Sequence, residues 1–168
     1  YMLLRHAKRL SPDDPYIDAA LGEIELVLPG ADSVTLERAY DAIARRFRIE
    51  PTNQRYAAAF NNVAQQARRI DDIIEIWQTQ DSLRPDRSDP AFNLASSLTA
   101  RFSITGDTAD LQRALDIYSR LEKGLGHTLP VSGRKINIYL AINDTAAALA
   151  EIRQLERDAP RDIDTKLF

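Results

Sequence analysis

The side chains that could carry chemistry in this sequence are few and far apart. The two histidines, His6 and His127, are separated by 121 residues, and neither has a second metal-ligand residue at helical or hairpin spacing. A metal site or a histidine general base needs partner groups at defined distances. We therefore interpret both histidines as surface residues, and we expect the chain to bind no metal and no cofactor.

Two short patterns have the letters of known catalytic motifs but not their context. Ser132 and Lys135 have the S-x-x-K spacing of acyl-transfer enzymes, yet the K-T-G motif that accompanies it there is absent from the sequence. The stretch Gly124-Leu125-Gly126 follows a predicted helix and is too short for a phosphate-binding loop. We therefore predict no catalytic residues and expect that the chain is not an enzyme.

Clusters of like charge fall where predicted helices begin or end. Asp71-Asp72 stands at a predicted helix start, and Arg45, Arg46 and Arg48 stand at a predicted helix end. Carboxylates near a helix N-terminus and cations near a C-terminus are stabilised by the helix dipole, so neither cluster requires a ligand. For the arginines, a patch that binds an acidic partner remains the alternative.

The composition argues against several classes of function. The 168 residues carry a formal net charge of −3, so the chain lacks the basic surface that a phosphate backbone requires, and we expect no nucleic-acid partner. No apolar run approaches the roughly 20 residues that cross a bilayer, so membrane insertion is not expected. There is no cysteine, and hence no thiolate chemistry. The compartment stays open between the cytoplasm and the bacterial periplasm.

Helix-breaking residues recur at nearly regular intervals. Pro51 and Pro85 are 34 residues apart, and so are Gly126 and Pro160, while Pro12 lies 39 residues before Pro51. The interval from Pro85 to Gly126 is 41 residues. Intervals of this size are typical of helical-repeat proteins, in which each repeat is one supersecondary unit.

Apolar residues between these markers have helical spacing. The second helix of each predicted hairpin carries the pairs Ala39 and Ile43, Ile73 and Trp77, Ala114 and Tyr118, Ala148 and Ile152. The first helices carry the stripes Tyr16, Ile17, Ala20, Leu21, Ile24 and Leu28; Tyr56, Phe60, Val63, Ala64 and Ala67; Ala91, Leu94, Ala95, Leu98 and Phe102; Ile136, Tyr139 and Leu140. Intervals of three and four place each set on one helix face. No segment alternates as a strand would.

Turn residues separate the two helices of each predicted hairpin. They are Pro29-Gly30-Ala31-Asp32, Arg69 to Asp71, Gly106-Asp107 and Asn143-Asp144. Gly and Asn accept the left-handed conformation that ends a helix, and an aspartate caps the next helix by accepting its free amides. The first repeat has five extra residues near 29–33 and the third has seven near 103–110. We expect both inserts to lengthen the turn inside the hairpin.

A 34-residue hairpin that ends in proline resembles the tetratricopeptide repeat. The family's bulky-then-small pair on the first helix is matched by Leu21-Gly22 and Leu94-Ala95, matched in half by Phe60-Asn61, and not matched by Lys135-Ile136. Its small residue on the second helix is matched by Ala39, Ala114 and Ala148, but not by Ile73. The resemblance implies an all-α fold, a right-handed α-solenoid (superhelix) of stacked antiparallel helix hairpins.

The resemblance covers nearly the whole chain and implies a single solenoid domain, 1–168. We divide it into the tail of a preceding helix (1–12), four repeats (13–51, 52–85, 86–126 and 127–160) and the start of a further helix (161–168). Because the chain begins at Tyr1 rather than Met, we expect it to be a piece of a longer protein. Uncapped terminal helices would also permit end-to-end self-association.

The resemblance implies a protein–protein interaction scaffold whose first helices line a concave groove for a peptide or partner segment. One subset of the family holds a terminal carboxylate with two asparagines, an arginine and two lysines. Asn62, Asn93 and Arg134 stand at the asparagine and arginine positions, whereas Ala58 and Pro130 replace the lysines. These three are our candidate peptide-binding residues, and the alternative is a polar groove wall without a ligand.

A second function remains open. The chain would then be a regulatory or substrate-presenting segment of a larger enzyme, or of an envelope or transport assembly.

Overall fold

The structure is a computed structural model that describes residues 1–28 and 32–158. Within these ranges the chain forms nine α-helices and no strand, so the predicted all-α fold is confirmed. The helices belong to two compact units, Tyr1–Arg84 (unit 1) and Pro85–Phe168 (unit 2). No helix of the described ranges combines the length and the apolar character that crossing a membrane requires.

Unit 1 contains five described helices, and each packs on the next along the chain. They are α1 (Met2–Leu10), α2 (Pro15–Val27), α3 (Ser33–Ile49), α4 (Gln54–Gln66) and α5 (Ile70–Leu83). Helix α1 lies where the tail of a preceding helix was predicted, and α2–α3 and α4–α5 are the first two helix pairs. The predicted turn residues 29–31 lie outside the described residues.

Unit 2 contains four described helices, again packed in chain order. They are α6 (Ser88–Thr105), α7 (Thr108–Leu125), α8 (Leu129–Ala141) and α9 (Thr145–Asp158). The marker Pro160 and the predicted start of a further helix, 161–168, lie outside the described residues. The exact boundaries of the repeats and the single-domain organisation stay predictions.

Polar caps fix where several helices begin. Asp32, Asp107 and Asp144 each accept a hydrogen bond from a backbone amide of the helix that follows, at 2.8, 3.0 and 2.9 Å. Gly106 and Asn143 end the preceding helices with φ values of 73° and 59°. The predicted cap and turn chemistry is therefore confirmed at these five residues.

The turn between α4 and α5 differs in detail from the prediction. Helix α5 begins at Ile70, so Asp71 and Asp72 lie in its first turn rather than in the loop. The left-handed position is occupied by Arg68, with φ 56°. Negative charge in a first helical turn is stabilised by the helix dipole, as expected for this pair.

The predicted stripes face the core except in α2 and α8. Ile43 and Tyr118 are buried and Trp77 is half-buried. In α2 the buried residues are Ala19 and Gly22. The predicted stripe of α2 was wrong, because Tyr16 and Leu28 are 50% and 40% exposed and its other residues are only half-buried.

In α8 the buried residues are Val131, Ser132, Lys135 and Ile138. The predicted stripe of Ile136, Tyr139 and Leu140 was wrong, because Ile136 and Tyr139 are only half-buried and Leu140 is 53% exposed. Helix α8 is rotated so that Lys135 faces inwards, where its ammonium group pairs with two carboxylates.

The seven-residue insert of the third repeat lengthens helices rather than the turn. Helices α6 and α7 are both 18 residues long, and only Gly106 and Asp107 separate them. The prediction of a longer loop was therefore wrong. Seven residues make about two helical turns, so adding about one turn to each helix preserves the faces that pack together. Arg101 joins the two extended ends through Asp110, at 2.7 Å from Nε to Oδ2 and 2.5 Å from Nη2 to Oδ1.

Gly22 explains the bulky-then-small pair of the first repeat. A Cβ atom built on Gly22 would lie 3.0 Å from Ala39 Cα and 3.1 Å from Ala39 Cβ. Helices α2 and α3 therefore cross so closely that only a glycine and an alanine fit at this point. A Cβ atom at position 22 would therefore force the backbone around Ala39 to shift.

Candidate functional site

A cavity of about 460 Å³ opens in unit 2 among α6, α7 and the start of α8. Its apolar lining consists of Phe92, Leu121, Leu125, Pro130 and Val131, and its polar lining of Ser88, Asp89, Asn93 and Thr128. A largely apolar concavity with a few polar groups is the usual form of a ligand site. We call it the unit 2 cavity.

Two of the three predicted peptide-binding residues lie at or near this cavity. Asn93 is half-buried and lines it. Arg134 is exposed on α8, and its guanidinium carbon lies 5.9 Å from the centroid of the Phe92 ring, which also lines the cavity. The third residue, Asn62, belongs to unit 1, where it is exposed on α4 and accepts a hydrogen bond from Gln66 at 3.3 Å.

Phe92, the aromatic residue that lines the unit 2 cavity, packs against Tyr118 on α7. The rings of Phe92 and Tyr118 meet edge to face with their centroids 5.6 Å apart. The Tyr118 hydroxyl lies 3.2 Å from Ser96 Oγ, within hydrogen-bond distance. Burial raises the pKa of Tyr118, so this hydroxyl stays neutral at physiological pH. A fixed Phe92 ring gives the cavity a preformed apolar wall.

A larger cavity, of about 810 Å³, lies in unit 1 among α1, α2 and α3. Five cations line it (Arg5, Lys8, Arg9, Arg38 and Arg45), together with the carboxylates Asp18 and Glu25. Glu25 accepts from Arg38 at 2.8 Å and pairs with Arg5 at 3.8 Å, while Lys8 contacts Asp18. With five cations against two anions, the lining of this unit 1 cavity is basic.

The arginine cluster at the end of α3 does not form one surface patch. Arg45 and Arg48 are exposed, but the side chain of Arg46 is fully buried. Its guanidinium carbon lies 3.5 Å from the ring centroid of Tyr16 on α2 and 4.1 Å from that of Tyr56 on α4. Arg46 therefore joins three helices, and it does not belong to a surface patch for an acidic partner, which was the alternative for this cluster.

Glu50 completes the surroundings of Arg46. It pairs with the guanidinium at 2.7 Å and accepts a hydrogen bond from the Tyr16 hydroxyl at 2.7 Å. The hydrogen bonds from Arg46 and Tyr16 hold the pKa of Glu50 below its ordinary value. The carboxylate therefore stays charged opposite the arginine at neutral pH.

A second buried cation lies in unit 2. The Lys135 ammonium donates to Glu122 Oε2 on α7 and to Glu151 Oε2 on α9, at 2.7 Å each. Burial by itself lowers the pKa of Lys135, but the hydrogen bonds to Glu122 and Glu151 outweigh burial and raise it above its ordinary value. Burial likewise opposes ionisation of Glu151, and the hydrogen bond from Lys135 reverses this, so the pKa of Glu151 is lowered. Lys135 and Glu151 are therefore both charged at neutral pH.

His127, in the loop between α7 and α8, faces the same cluster. Its Nδ1 atom lies 3.4 Å from Glu122 Oε1 and 3.8 Å from Glu151 Oε1. The interpretation of His127 as an isolated surface residue was wrong, since it is only half-exposed and two carboxylates approach it. Glu122 is five positions away and Glu151 lies on another helix, so no short-range spacing could have indicated the group.

Comparison with known proteins supports the fold. No protein-family model and no curated protein sequence matches the chain. Among solved structures, a mutant of MamA is similar over 93% of this chain and 84% of its own, with 15% identity and a TM-score of 0.61. The structure titled MamA MSR-1 C2 is similar over 96% of this chain and 86% of its own, with 14% identity and a TM-score of 0.63.

These neighbours have tetratricopeptide-like helical folds. The present chain therefore has an all-α helical-repeat fold of the tetratricopeptide-like class. At this level of sequence identity the similarity concerns the fold alone.

Proposed function

We propose that the chain is a protein-interaction module of the tetratricopeptide family, and that the unit 2 cavity binds an extended segment of a partner protein. The observation that carries the proposal is the joint position of Asn93 and Phe92 in one apolar cavity, with Arg134 close to Phe92. The MamA-like fold supports a scaffold rather than a catalytic domain.

The chemistry of the cavity defines the expected ligand. Its apolar walls, Leu121, Leu125 and Val131, suit an aliphatic or aromatic side chain. Asn93 offers amide donors and Arg134 a guanidinium, and both groups hydrogen-bond well to a carboxylate. We therefore expect a segment in which an apolar residue is followed closely by a carboxylate, either an acidic side chain or the chain terminus.

The unit 1 cavity supports a second contact with the same kind of partner. Its five cations exceed its two carboxylates, so an acidic segment fits its charge better than a basic one. Asn62 stays a proposed contact of unit 1, and its carboxamide is exposed on α4. A role as the regulatory or substrate-presenting segment of a larger assembly would use these same surfaces.

The proposal is tested by selecting C-terminal peptides from a random displayed library and measuring their affinity by calorimetry. Charge-assisted hydrogen bonds are worth about 1.5–3 kcal/mol, so Arg134→Ala should weaken binding about ten- to hundredfold. Arg153→Ala is the matched control, because Arg153 is an exposed arginine of the same unit on α9.

A selected peptide should also lose affinity when its carboxylate is converted to an amide. Equal affinities for wild type and Arg134→Ala would remove the unit 2 cavity as the binding site. If the library yields no peptide that binds, the chain is not a peptide-binding module of this kind.

A further inference from the structure

Lys135 binds one carboxylate oxygen of Glu122 and one of Glu151, and the other oxygen of each glutamate lies near His127 Nδ1. One ligand atom from each of Glu122, His127 and Glu151 lies within 4.8 Å of the other two. His127 Nδ1 is 3.4 Å from Glu122 Oε1 and 3.8 Å from Glu151 Oε1. Ligands about 2.0–2.2 Å from a tetrahedral ion are roughly 3.3–3.6 Å from one another. The group is therefore close to the spacing that such an ion requires.

Two of these atoms lack a hydrogen-bond partner within the described ranges. They are His127 Nδ1 and Glu151 Oε1, and neither is accessible to solvent. The side chain of Glu151 is only 9% exposed. A buried acceptor without a donor is costly, and native proteins rarely leave one. A cation between the two atoms would satisfy both, which separates this group from an exposed acidic patch.

From this geometry we infer that Glu122, His127 and Glu151 form a binding site for a divalent transition-metal ion, with Zn²⁺ as the best-fitting occupant. An imidazole nitrogen with two carboxylate oxygens is a ligand set that suits zinc. Calcium takes six to eight oxygen ligands, and magnesium keeps most of its water, so both should bind less well. The ligands lie on α7, in the loop between α7 and α8, and on α9. This inference does not depend on the proposed peptide-binding function.

Two charged groups lie beside the ligands, and one of them orients the glutamates. Asp158 Oδ2 lies 3.8 Å from His127 Nε2, on the opposite side of the ring from the site. This distance is longer than a hydrogen bond, so Asp158 acts on the ring through its charge alone. The Lys135 ammonium binds the Oε2 atom of each glutamate, so that their Oε1 atoms are left towards His127.

Lys135 also determines whether its removal should strengthen or weaken zinc binding. Its positive charge repels a divalent ion nearby, so it weakens binding while it positions the carboxylates. Lys135→Met removes this repulsion and keeps a side chain of similar length. We therefore expect Lys135→Met to bind Zn²⁺ at least about tenfold more tightly than wild type.

The experiment is calorimetric titration of the chelator-treated chain with Zn²⁺ alone, and with Mg²⁺ and Ca²⁺ in parallel. Wild type should bind one Zn²⁺, and zinc at about 100 times its dissociation constant should raise Tm by roughly 5–10 °C. His127→Ala should weaken zinc binding at least about tenfold. His6→Ala is the matched control and should bind zinc as wild type does, because His6 is the other histidine and is exposed on α1.

His127→Ala removes a half-exposed loop side chain, so it should fold even if Lys135→Met does not. The proposal is overturned if wild type binds no zinc. It is equally overturned if His127→Ala binds zinc as wild type does, or if Mg²⁺ and Ca²⁺ bind as tightly as Zn²⁺. The last two outcomes would show a general attraction of cations to acidic groups rather than a site.

Discussion

Among the described residues, each unit buries one cation that joins three helices, but the two units neutralise it differently. In unit 1, Arg46 lies between two tyrosine rings and pairs with Glu50, whose side chain is 39% exposed. In unit 2, Lys135 lies between Glu122 and Glu151, whose side chains are each only 9% exposed. A planar, weakly hydrated guanidinium suits aromatic faces, whereas a strongly hydrated ammonium requires oxygen acceptors.

The two units should therefore respond differently to the loss of this cation. Glu50 reaches water, so solvent can take over from Arg46 if the arginine is removed. Glu122 and Glu151 do not reach water to that extent, so without Lys135 two charges stay buried and repel each other. We therefore expect unit 2 to depend on its cation more strongly than unit 1 does.

Removing Lys135 should have the largest effect. In chelator-treated buffer, Lys135→Met should lower the free energy of unfolding by about 3–5 kcal/mol, because breaking a buried ion pair strands its partners. Urea denaturation measures this loss. The double variant Lys135→Met with Glu151→Leu should recover part of it, since one stranded charge is then gone. A loss below about 1 kcal/mol for the single variant would mean that the two carboxylates are hydrated after all.

The next effect compares one glycine in each unit. Gly22→Ala should cost about 1–3 kcal/mol, because its new Cβ would lie 3.0 Å from the Ala39 backbone. Gly133 lies inside α8, and nothing lies within 4 Å of a Cβ built there. Gly133→Ala should therefore stabilise by about 0.5–1 kcal/mol through helix propensity. Thermal unfolding measures both, and effects of equal sign would contradict the close crossing of α2 and α3.

Removing Arg46 should have a smaller effect than removing Lys135. Arg46→Met should cost about 1–2 kcal/mol, mainly the cation–π contacts with Tyr16 and Tyr56, because methionine still fills the space between the rings. Glu50 should stay hydrated and charged. Urea denaturation under the conditions used for Lys135→Met provides the comparison. If Arg46→Met is the more destabilising of the two, the contrast between the units fails.

The sequence indicated the order of helices better than it indicated these buried charges. The caps Asp32, Asp107 and Asp144 act locally, so short-range patterns predicted them. The pair Leu21-Gly22 contacts another helix, and it was identified through the resemblance to the tetratricopeptide repeat. Lys135 interrupts an apolar pattern, and its burial depends on carboxylates of two other helices. Lysine is rarely buried unless it is paired, and the sequence does not show its partners. The sequence therefore predicted that Lys135 is exposed, and the stripe of α8 was placed on the wrong face.

The prediction for the insert of the third repeat was wrong for a related reason. The seven residues of the third repeat contain Gly106, which favours a loop over that region. The extra turns of α6 and α7 are stabilised instead by the bidentate contact between Arg101 and Asp110, nine positions apart. Arg101 and Asp110 lie on opposite sides of the turn, so they come into contact only when the hairpin forms.

The last and smallest effect concerns acid. The hydrogen bonds from Arg101 hold the pKa of Asp110 below its ordinary value of 3.8, and the hydrogen bond from Lys135 holds the pKa of Glu151 below its ordinary value of 4.5. A carboxyl group with a lowered folded-state pKa stabilises the fold above its unfolded-state pKa, and that stability disappears as the pH falls through the folded-state value. Stability should therefore change little near neutrality and fall below about pH 4.5.

Unit 1 contributes Glu50 to the same loss, but Glu50 is more exposed than Asp110, which is 1% exposed. Hydrogen exchange measured between pH 3 and pH 5 should therefore show that α6 to α9 open before α2 to α5 as the pH falls. The variant Asp110→Asn keeps the shape of the side chain without its titration and should flatten the pH dependence of unit 2. Earlier opening of unit 1 would reverse the comparison, because it would make the exposed carboxylate, and not the buried ones, the group on which acid acts first.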